Sequence, residues 1–160
     1  MLSVVQRVSE AEVKIDGEIT ARGSMGLLLL VGVERGDCER DAELLAEKIL
    51  KTRIFEDGEG KMNLSVTDIG GSIVAVPNFT LTASYRKGNR PDFMNSEAPV
   101  RAKALFEYFC TYLSEKIHTE CGVFGADMKV SLCNDGPVTL VMDSRVLSRE
   151  RMSMEDSNSK

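Results

Sequence analysis

Met25-Gly26-Leu27-Leu28-Leu29-Leu30-Val31-Gly32-Val33 is an apolar run of strand length with a glycine near each end. Polar and apolar residues do not alternate in it, so it reads as a strand buried on both faces, of the kind that lies inside a helix-covered sheet. It falls well short of the ~20 apolar residues a membrane span requires. Upstream, residues 1–8 and Ala11–Ile15 read as two strands, and Asp16-Gly17 among Val13, Ile15 and Ile19 is a hairpin turn. Downstream, Asp37 precedes a helix reaching to about Arg53. Ala42, Leu45, Ala46, Ile49 and Leu50 recur at helical spacing there, and acidic residues crowd the first turn, where the helix dipole favours them.

Glu56-Asp57-Gly58-Glu59-Gly60 reads as a turn. Gly71–Val76 reads as another strand, closed by Pro77, which has no N–H for a sheet ladder. Thr82–Ser96 is expected to be an irregular loop. Glu97 to about Thr119 is expected to be a second helix, with Pro99 in its first turn and Ala98, Ala102, Leu105, Phe109, Tyr112 and Lys116 on one side. Val123–Cys133 and Val138–Asp143 read as two final strands. The expected fold class is α/β: one domain, residues 1–146, with a mixed β-sheet and two main helices. A polar tail over residues 147–160 is expected to be disordered.

At 160 residues the chain has the length of one domain with a real core. A net charge of −5 argues against a broad electropositive face for nucleic acid, yet leaves room for a local cluster such as Arg86-Lys87-Gly88-Asn89-Arg90. The N-terminal residues carry no basic segment followed by an apolar core, so the expected location is the cytoplasm, with no membrane partner. Cys38, Cys110, Cys121 and Cys133 show no C-x-x-C pairing and no histidine at zinc spacing, so no metal site is expected; Cys110 and Cys133 read as buried thiols. The single histidine, His118, falls near the end of the second helix and reads as solvent-exposed. A Ser-His-Asp or Cys-His triad would have to use it. Neither a G-x-S-x-G elbow nor a phosphate-binding loop is present, which argues against redox and nucleotide-triphosphate chemistry; no cofactor is expected.

Two segments stand apart. In Pro77-Asn78-Phe79-Thr80-Leu81 a strand-ending proline is followed by an aromatic that can be offered to a cleft. In Asn134-Asp135-Gly136-Pro137-Val138-Thr139 a Gly-Pro turn lies between two strands. Together they resemble the paired signatures of the D-aminoacyl-tRNA deacylases, written roughly S-Q-F-T-L and N-x-G-P-V-T. The resemblance runs along most of the chain, through Val5-Gln6-Arg7-Val8, Arg53-Ile54-Phe55, Glu59-Gly60-Lys61-Met62-Asn63, Lys87-Gly88-Asn89-Arg90-Pro91-Asp92-Phe93 and Gly122-Val123-Phe124-Gly125-Ala126-Asp127-Met128. It departs from the pattern where the usual Ser-Gln is Pro77-Asn78.

The resemblance implies a homodimer whose sheets meet across the dyad. It also implies hydrolysis of the ester joining a D-amino acid, or glycine mischarged on tRNA-Ala, to the 3′-terminal adenosine of tRNA, with rejection of L-aminoacyl-tRNA. Phe79 and Thr80 would supply backbone donors and positioning. Gly136 and Pro137 would form a chiral filter of backbone carbonyls set parallel by a cis peptide bond, with Arg7 in support. Pro77, Asn78, Phe124, Gly125, Ala126, Met128 and Asn134 would contact substrate, and Arg86, Lys87 and Arg90 would contact phosphate. Water would be oriented by the 2′-hydroxyl of the terminal ribose, with Thr80 as nucleophile the second-ranked mechanism. Three other readings remain open on the sequence: a paralogue that removes mischarged L-alanine, whose motif also begins with proline but lacks the aromatic; a non-catalytic RNA-binding module; and a structural dimer in which Gly136-Pro137 is only a turn.

Overall fold

The computed structural model describes residues 1–86 and 88–147. In chain order the elements are β1 (Leu2–Ile15), β2 (Glu18–Gly23), β3 (Gly26–Gly32), α1 (Glu39–Lys51), β4 (Phe55–Glu56), β5 (Met62–Leu64), β6 (Ser72–Pro77), a 3₁₀ turn (Phe79–Thr82), α2 (Pro99–Ser114), β7 (Thr119–Cys121) and β8 (Lys129–Asp143). The main sheet runs β2-β1-β3-β6-β7, with β8 along the remaining edge of β1; β4 and β5 form a separate two-stranded sheet. β3–β6 and β6–β7 are parallel and the other pairs antiparallel. Parallel neighbours need a crossover connection, and α1 and α2 provide the two required here.

The two-sided burial expected of β3 is present. Leu27, Leu29 and Val31 join Val5, Ile73 and Ala75 in the cluster sealed by both helices. Leu28 turns the other way, into a second cluster with Val8, Ala11, Val13, Ala21, Val74 and Val76. α1 contributes Ala42, Leu45, Ala46, Ile49 and Leu50 to the helical side, and α2 contributes Phe106, Phe109 and Leu113. Each large side chain buried this way stabilises the fold by about 1.5–3 kcal/mol.

The α-amine of Met1 is fully buried, where it donates to Asp37 Oδ1 at 2.7 Å and to Ser144 Oγ at 2.6 Å. The other oxygen of Asp37 accepts the Glu34 N–H at 2.7 Å. This one carboxylate therefore ties the first residue to the β3–α1 connection, the segment that presents Arg35. Among the described residues no helix is long and apolar enough to cross a membrane.

Several boundaries differ from the sequence reading. β1 is one strand, not two: the polar Ser9-Glu10 step is absorbed by irregular register against β8 near Val8 and Glu10. β8 is likewise continuous. The Gly-Pro segment does not reverse the chain; it bulges out while both flanks stay paired with β1, Thr139 opposite Gln6 and Asn134 opposite Val8. Residues 123–128 precede β8 as loop. α2 stops at Ser114, short of the expected end near Thr119, and β7 begins at that residue; His118 lies between the two. Cys133 sits on a strand but is exposed, because it belongs to the outward face of β8, whereas Cys110 is buried. Of the expected tail, residues 148–160 lie outside the described residues.

Gly26 is where β3 and β6 approach most closely. A Cβ there would fall 1.8 Å from the Ser72 carbonyl oxygen and 2.7 Å from the Ser72 nitrogen. Since both are backbone atoms in the ladder, Gly26→Ala should destabilise by more than about 4 kcal/mol in urea denaturation. Gly58→Ala, at a position with nothing near the added carbon, should change the midpoint little.

Candidate active site

β6 ends at Pro77, and the next residue continues the ladder once more, with the Asn78 N–H donating to Val31 O at 2.8 Å. The Asn78 side chain then caps the 3₁₀ turn: its Oδ1 accepts the Thr80 N–H at 3.2 Å and also the Thr80 hydroxyl. Asparagine is a strong cap because its carbonyl sits one methylene from the backbone, and the glutamine usual in the family pattern is one carbon longer. The departure at this position thus has a local use. Gly32 lets the turn pack directly on the end of β3, since a Cβ there would meet Leu81 Cβ at 3.1 Å and Asn78 O at 3.2 Å.

This packing turns Phe79 outward. It is 56% exposed and meets Phe93 edge-to-face, with centroids 5.0 Å apart at an interplanar angle of 66°. Both rings border a cavity of about 780 Å³ floored by Val31, Val33, Phe106 and Phe124 and rimmed by Arg35, Asn78, Ser96 and Glu97. Glu97 is the one carboxylate in that lining. Its oxygen accepts the Ala98 N–H at 2.8 Å, which holds its carboxyl below the usual glutamate range, with Arg101 and Arg35 adding to the effect. It is an ionised acceptor already in use, not a poised base. His118 is elsewhere, 3.5 Å from Glu120 in a separate polar cleft with Glu10 and Arg22.

Of the residues singled out in the sequence, Asn78, Phe79, Phe124 and Gly125 line this cavity, and Pro77 and Thr80 adjoin it in the chain. Met128 packs toward the second cluster, its sulfur 2.8 Å from where a Gly122 Cβ would stand. Ala126 is half-buried in the loop between β7 and β8. Arg86 and Arg90 are exposed on a loop whose base is closed by reciprocal Ser84–Asp92 bonds of 2.7 and 2.8 Å, directly before Phe93. Lys87 lies outside the described residues. Phe93, Arg35, Ser96 and Glu97 were not anticipated as site residues. The available signal was Phe93, an apolar ring in a loop otherwise dominated by polar and charged residues.

Gly136 and Pro137 do not line the cavity of their own chain. They are exposed at the crest of the β8 bulge, joined by a cis peptide, with Gly136 at φ +121°. Arg7, only 6% exposed, holds the base of the bulge. Its Nε donates to the Asp135 carbonyl at 3.2 Å and lies 3.1 Å from the Asp135 carboxylate, and its Nη1 donates to Ile54 O at 2.7 Å. The anchored carbonyl is therefore the one preceding Gly136, not those of Gly136 and Pro137. Asn134 is committed to the same structure: its amide donates to Arg7 O at 2.9 Å and Val138 O at 3.0 Å, clamping the mouth of the bulge. Its amide nitrogen is thus a clamp on the bulge, a role the sequence reading did not give it.

A family model described as D-Tyr-tRNA(Tyr) deacylase matches residues 4–143. A protein of Kosmotoga olearia named D-aminoacyl-tRNA deacylase is 53% identical over 145 residues, covering 91% of this chain and 98% of its own length. One of the same name from Anaeromyxobacter dehalogenans is 53% identical over 148 residues, covering 92% and 99%. Among solved structures, a c-Myc DNA unwinding element binding protein superposes with a TM-score of 0.85 at 36% identity, covering 89% of this chain and 98% of that one. A probable eukaryotic D-amino acid tRNA deacylase shares the fold, with a TM-score of 0.75 at 17% identity over 89% and 98%. With the family model spanning nearly the whole sheet and more than half the residues shared with these bacterial relatives, the chain belongs to the D-Tyr-tRNA(Tyr) deacylase family.

Proposed function

We propose that this chain hydrolyses the ester bond of D-aminoacyl-tRNA in the cytoplasm, releasing the free D-amino acid and tRNA. The observation that carries the reading is the exposed Phe79–Phe93 pair at the mouth of an apolar cavity, beside a hydroxyl-bearing turn, in a chain whose relatives bear that name. The 3′-terminal adenine would enter the cavity and stack at these rings, and the exposed Arg86 and Arg90 would meet phosphates nearby. Base–aromatic stacking is worth about 1–3 kcal/mol per base.

The substrate ester is already activated, so positioning and hydrogen-bond donors toward the developing oxyanion can supply most of the acceleration. The Thr80 N–H is engaged by Asn78, whereas the Phe79 N–H has no hydrogen-bond partner among the described residues and is the better donor. The Thr80 hydroxyl donates to an amide oxygen, which cannot take up its proton, so the threonine is not activated as a nucleophile. Water oriented by the ribose 2′-hydroxyl fits a cavity whose single carboxylate is otherwise occupied.

The chiral filter would be the Gly136 and Pro137 carbonyls of a second copy of the chain. Two features support this. The crest is exposed and absent from its own chain's cavity, and among the described residues β8 pairs with β1 alone, leaving its other edge open along Lys129–Asp143. An exposed strand edge of that length is a ready surface for a partner. The carbonyls would clash with an L side chain and tolerate a D side chain or the hydrogen of glycine, so glycyl-tRNA would also be a substrate. Such selection acts by repulsion and is indifferent to side-chain identity.

Purified protein given D-tyrosyl-tRNA, L-tyrosyl-tRNA and L-alanyl-tRNA should release the D-amino acid and spare both L-esters. Loss of none of the three would favour a non-catalytic RNA-binding module, and loss of L-alanyl-tRNA alone would favour the paralogous activity. Phe79→Ala should lower kcat/KM for the D-ester by about 5- to 150-fold, corresponding to the 1–3 kcal/mol of one stacked base. Thr80→Ala should retain substantial turnover, while a 2′-deoxy terminal ribose should abolish most of it. A trapped acyl-enzyme on Thr80 would reverse that assignment.

A further inference from the structure

We infer that Arg53 and Asn63 are positioning residues for the Gly136–Pro137 crest, acting through the Ile54 carbonyl and Arg7; this rests on the chiral-filter reading above. Arg7 has three nitrogens to place. The shortest contact it makes is not to the bulge but to Ile54 O, at 2.7 Å and buried. Ile54 does not belong to the main sheet. It immediately precedes β4, in the separate β4–β5 hairpin, so β1 and β8 alone do not set where its carbonyl points.

The hairpin sets it from both sides. On one side Phe55 pairs with Leu64. On the other, Arg53 Nε donates to Asn63 O at 2.6 Å and its terminal nitrogen donates to Asn63 Oδ1, a forked clasp across the two strands. Asn63 is oriented in turn by its Nδ2 donating to Asp57 Oδ2 at 3.1 Å, and the other Asp57 oxygen accepts the Glu59 and Lys61 N–H groups at 2.9 and 3.1 Å. These two N–H bonds, Lys61 first, hold the Asp57 carboxyl below the usual aspartate range. An exposed polar chain thus ends on a buried carbonyl, and that carbonyl faces the guanidinium whose other terminal nitrogen is 3.0 Å from where a Gly136 Cβ would stand.

The consequence is geometric. With Ile54 O fixed, Arg7 is gripped at Nη1 and Nε together, and its plane cannot rotate about the Asp135 contact. If the hairpin slackens, only the Asp135 side remains, and the crest can tilt along with it. A filter that works by collision is sensitive to such a tilt, whereas the adenine cavity, built on β3, β6 and α2, is not.

The test is the ratio of kcat/KM for D-tyrosyl-tRNA over L-tyrosyl-tRNA in Asn63→Ala, Arg53→Ala and Arg53→Lys. All three should lower the ratio by about tenfold, the scale of one charge-assisted hydrogen bond, mainly through gained hydrolysis of the L-ester. KM for the D-ester should stay within about twofold, since the adenine site is untouched. Arg53→Lys is the informative variant: a lysine keeps the charge but cannot make the fork. Recovery of the wild-type ratio in Arg53→Lys would mean that Arg53 acts only as a cation, and would overturn the proposal. An unchanged ratio in all three, with the wild type selective, would overturn it too and leave the deacylase reading intact. A wild type with no preference for the D-ester would instead contradict the function on which it rests.

Discussion

A guanidinium buried beside a sheet must find acceptors, and in this chain it finds them in places that shape everything around it. Arg7 points from β1 toward a strand that cannot pair with it in ordinary register, because residues 135–138 bulge away opposite this one position. The Asp135 carbonyl and carboxylate and the Ile54 carbonyl surround the charge. An ion removed from water without such partners would cost several kcal/mol, so the bulge and the hairpin are held to their positions as firmly as the charge needs them. The same bulge carries Gly136 and Pro137 to an exposed crest.

The second constraint is the close fit of β3 against its neighbours. Gly26 and Gly32, one at each end of the strand, leave room for the β6 backbone and for the 3₁₀ turn. Between them four leucines and a valine bury both faces. The turn after β6 therefore sits on a rigid ledge, and its exposed ring, Phe79, is fixed by the lack of room behind it. A site that relies on positioning rather than on an acid–base pair needs a ledge of this kind, and the cavity supplies no spare base.

Much of this was legible in the sequence, for identifiable reasons. The run Leu27–Val31 announced a two-sided strand by its lack of alternation, and the period of Ala42, Leu45, Ala46 and Ile49 announced α1. Asp16 and Gly17, with φ of 51° and 87°, form the hairpin turn that their types suggest. Phe79 was picked out because it follows a strand-ending proline. What escaped was non-local. The continuity of β8 through a Gly-Pro pair depends on β1 pairing on both sides of the bulge, whereas local turn chemistry indicates a reversal. The partner of Arg7 at Ile54 lies 47 residues away, and nothing in a two-residue β4 signals that its neighbour's carbonyl accepts a buried charge. Asn78, which lines the cavity, and Asn134 read as substrate contacts because their neighbourhood resembles a signature; that each also secures its own backbone segment depends on neighbours a signature does not show. Arg35, Ser96 and Glu97 reach the cavity only because the β3–α1 and loop–α2 connections converge there, and spacing alone does not show that.

The central claim is that a complete site needs the cavity of one copy and the crest of another. Mixing two damaged variants tests it most directly: one with Phe79 and Thr80 replaced by Ala, which weakens the cavity, the other with Gly136 and Pro137 replaced by Ala, which opens the filter to L-tyrosyl-tRNA. Co-refolded in equal amounts, half of the dimers pair one of each, and every such dimer holds one intact cavity facing one intact crest. The account predicts L-tyrosyl-tRNA hydrolysis at about one quarter of that of the crest variant alone at the same total concentration, from the statistics of a two-fold assembly. A fall to only about one half, with mixed dimers demonstrably formed, would place cavity and filter within a single chain and contradict it.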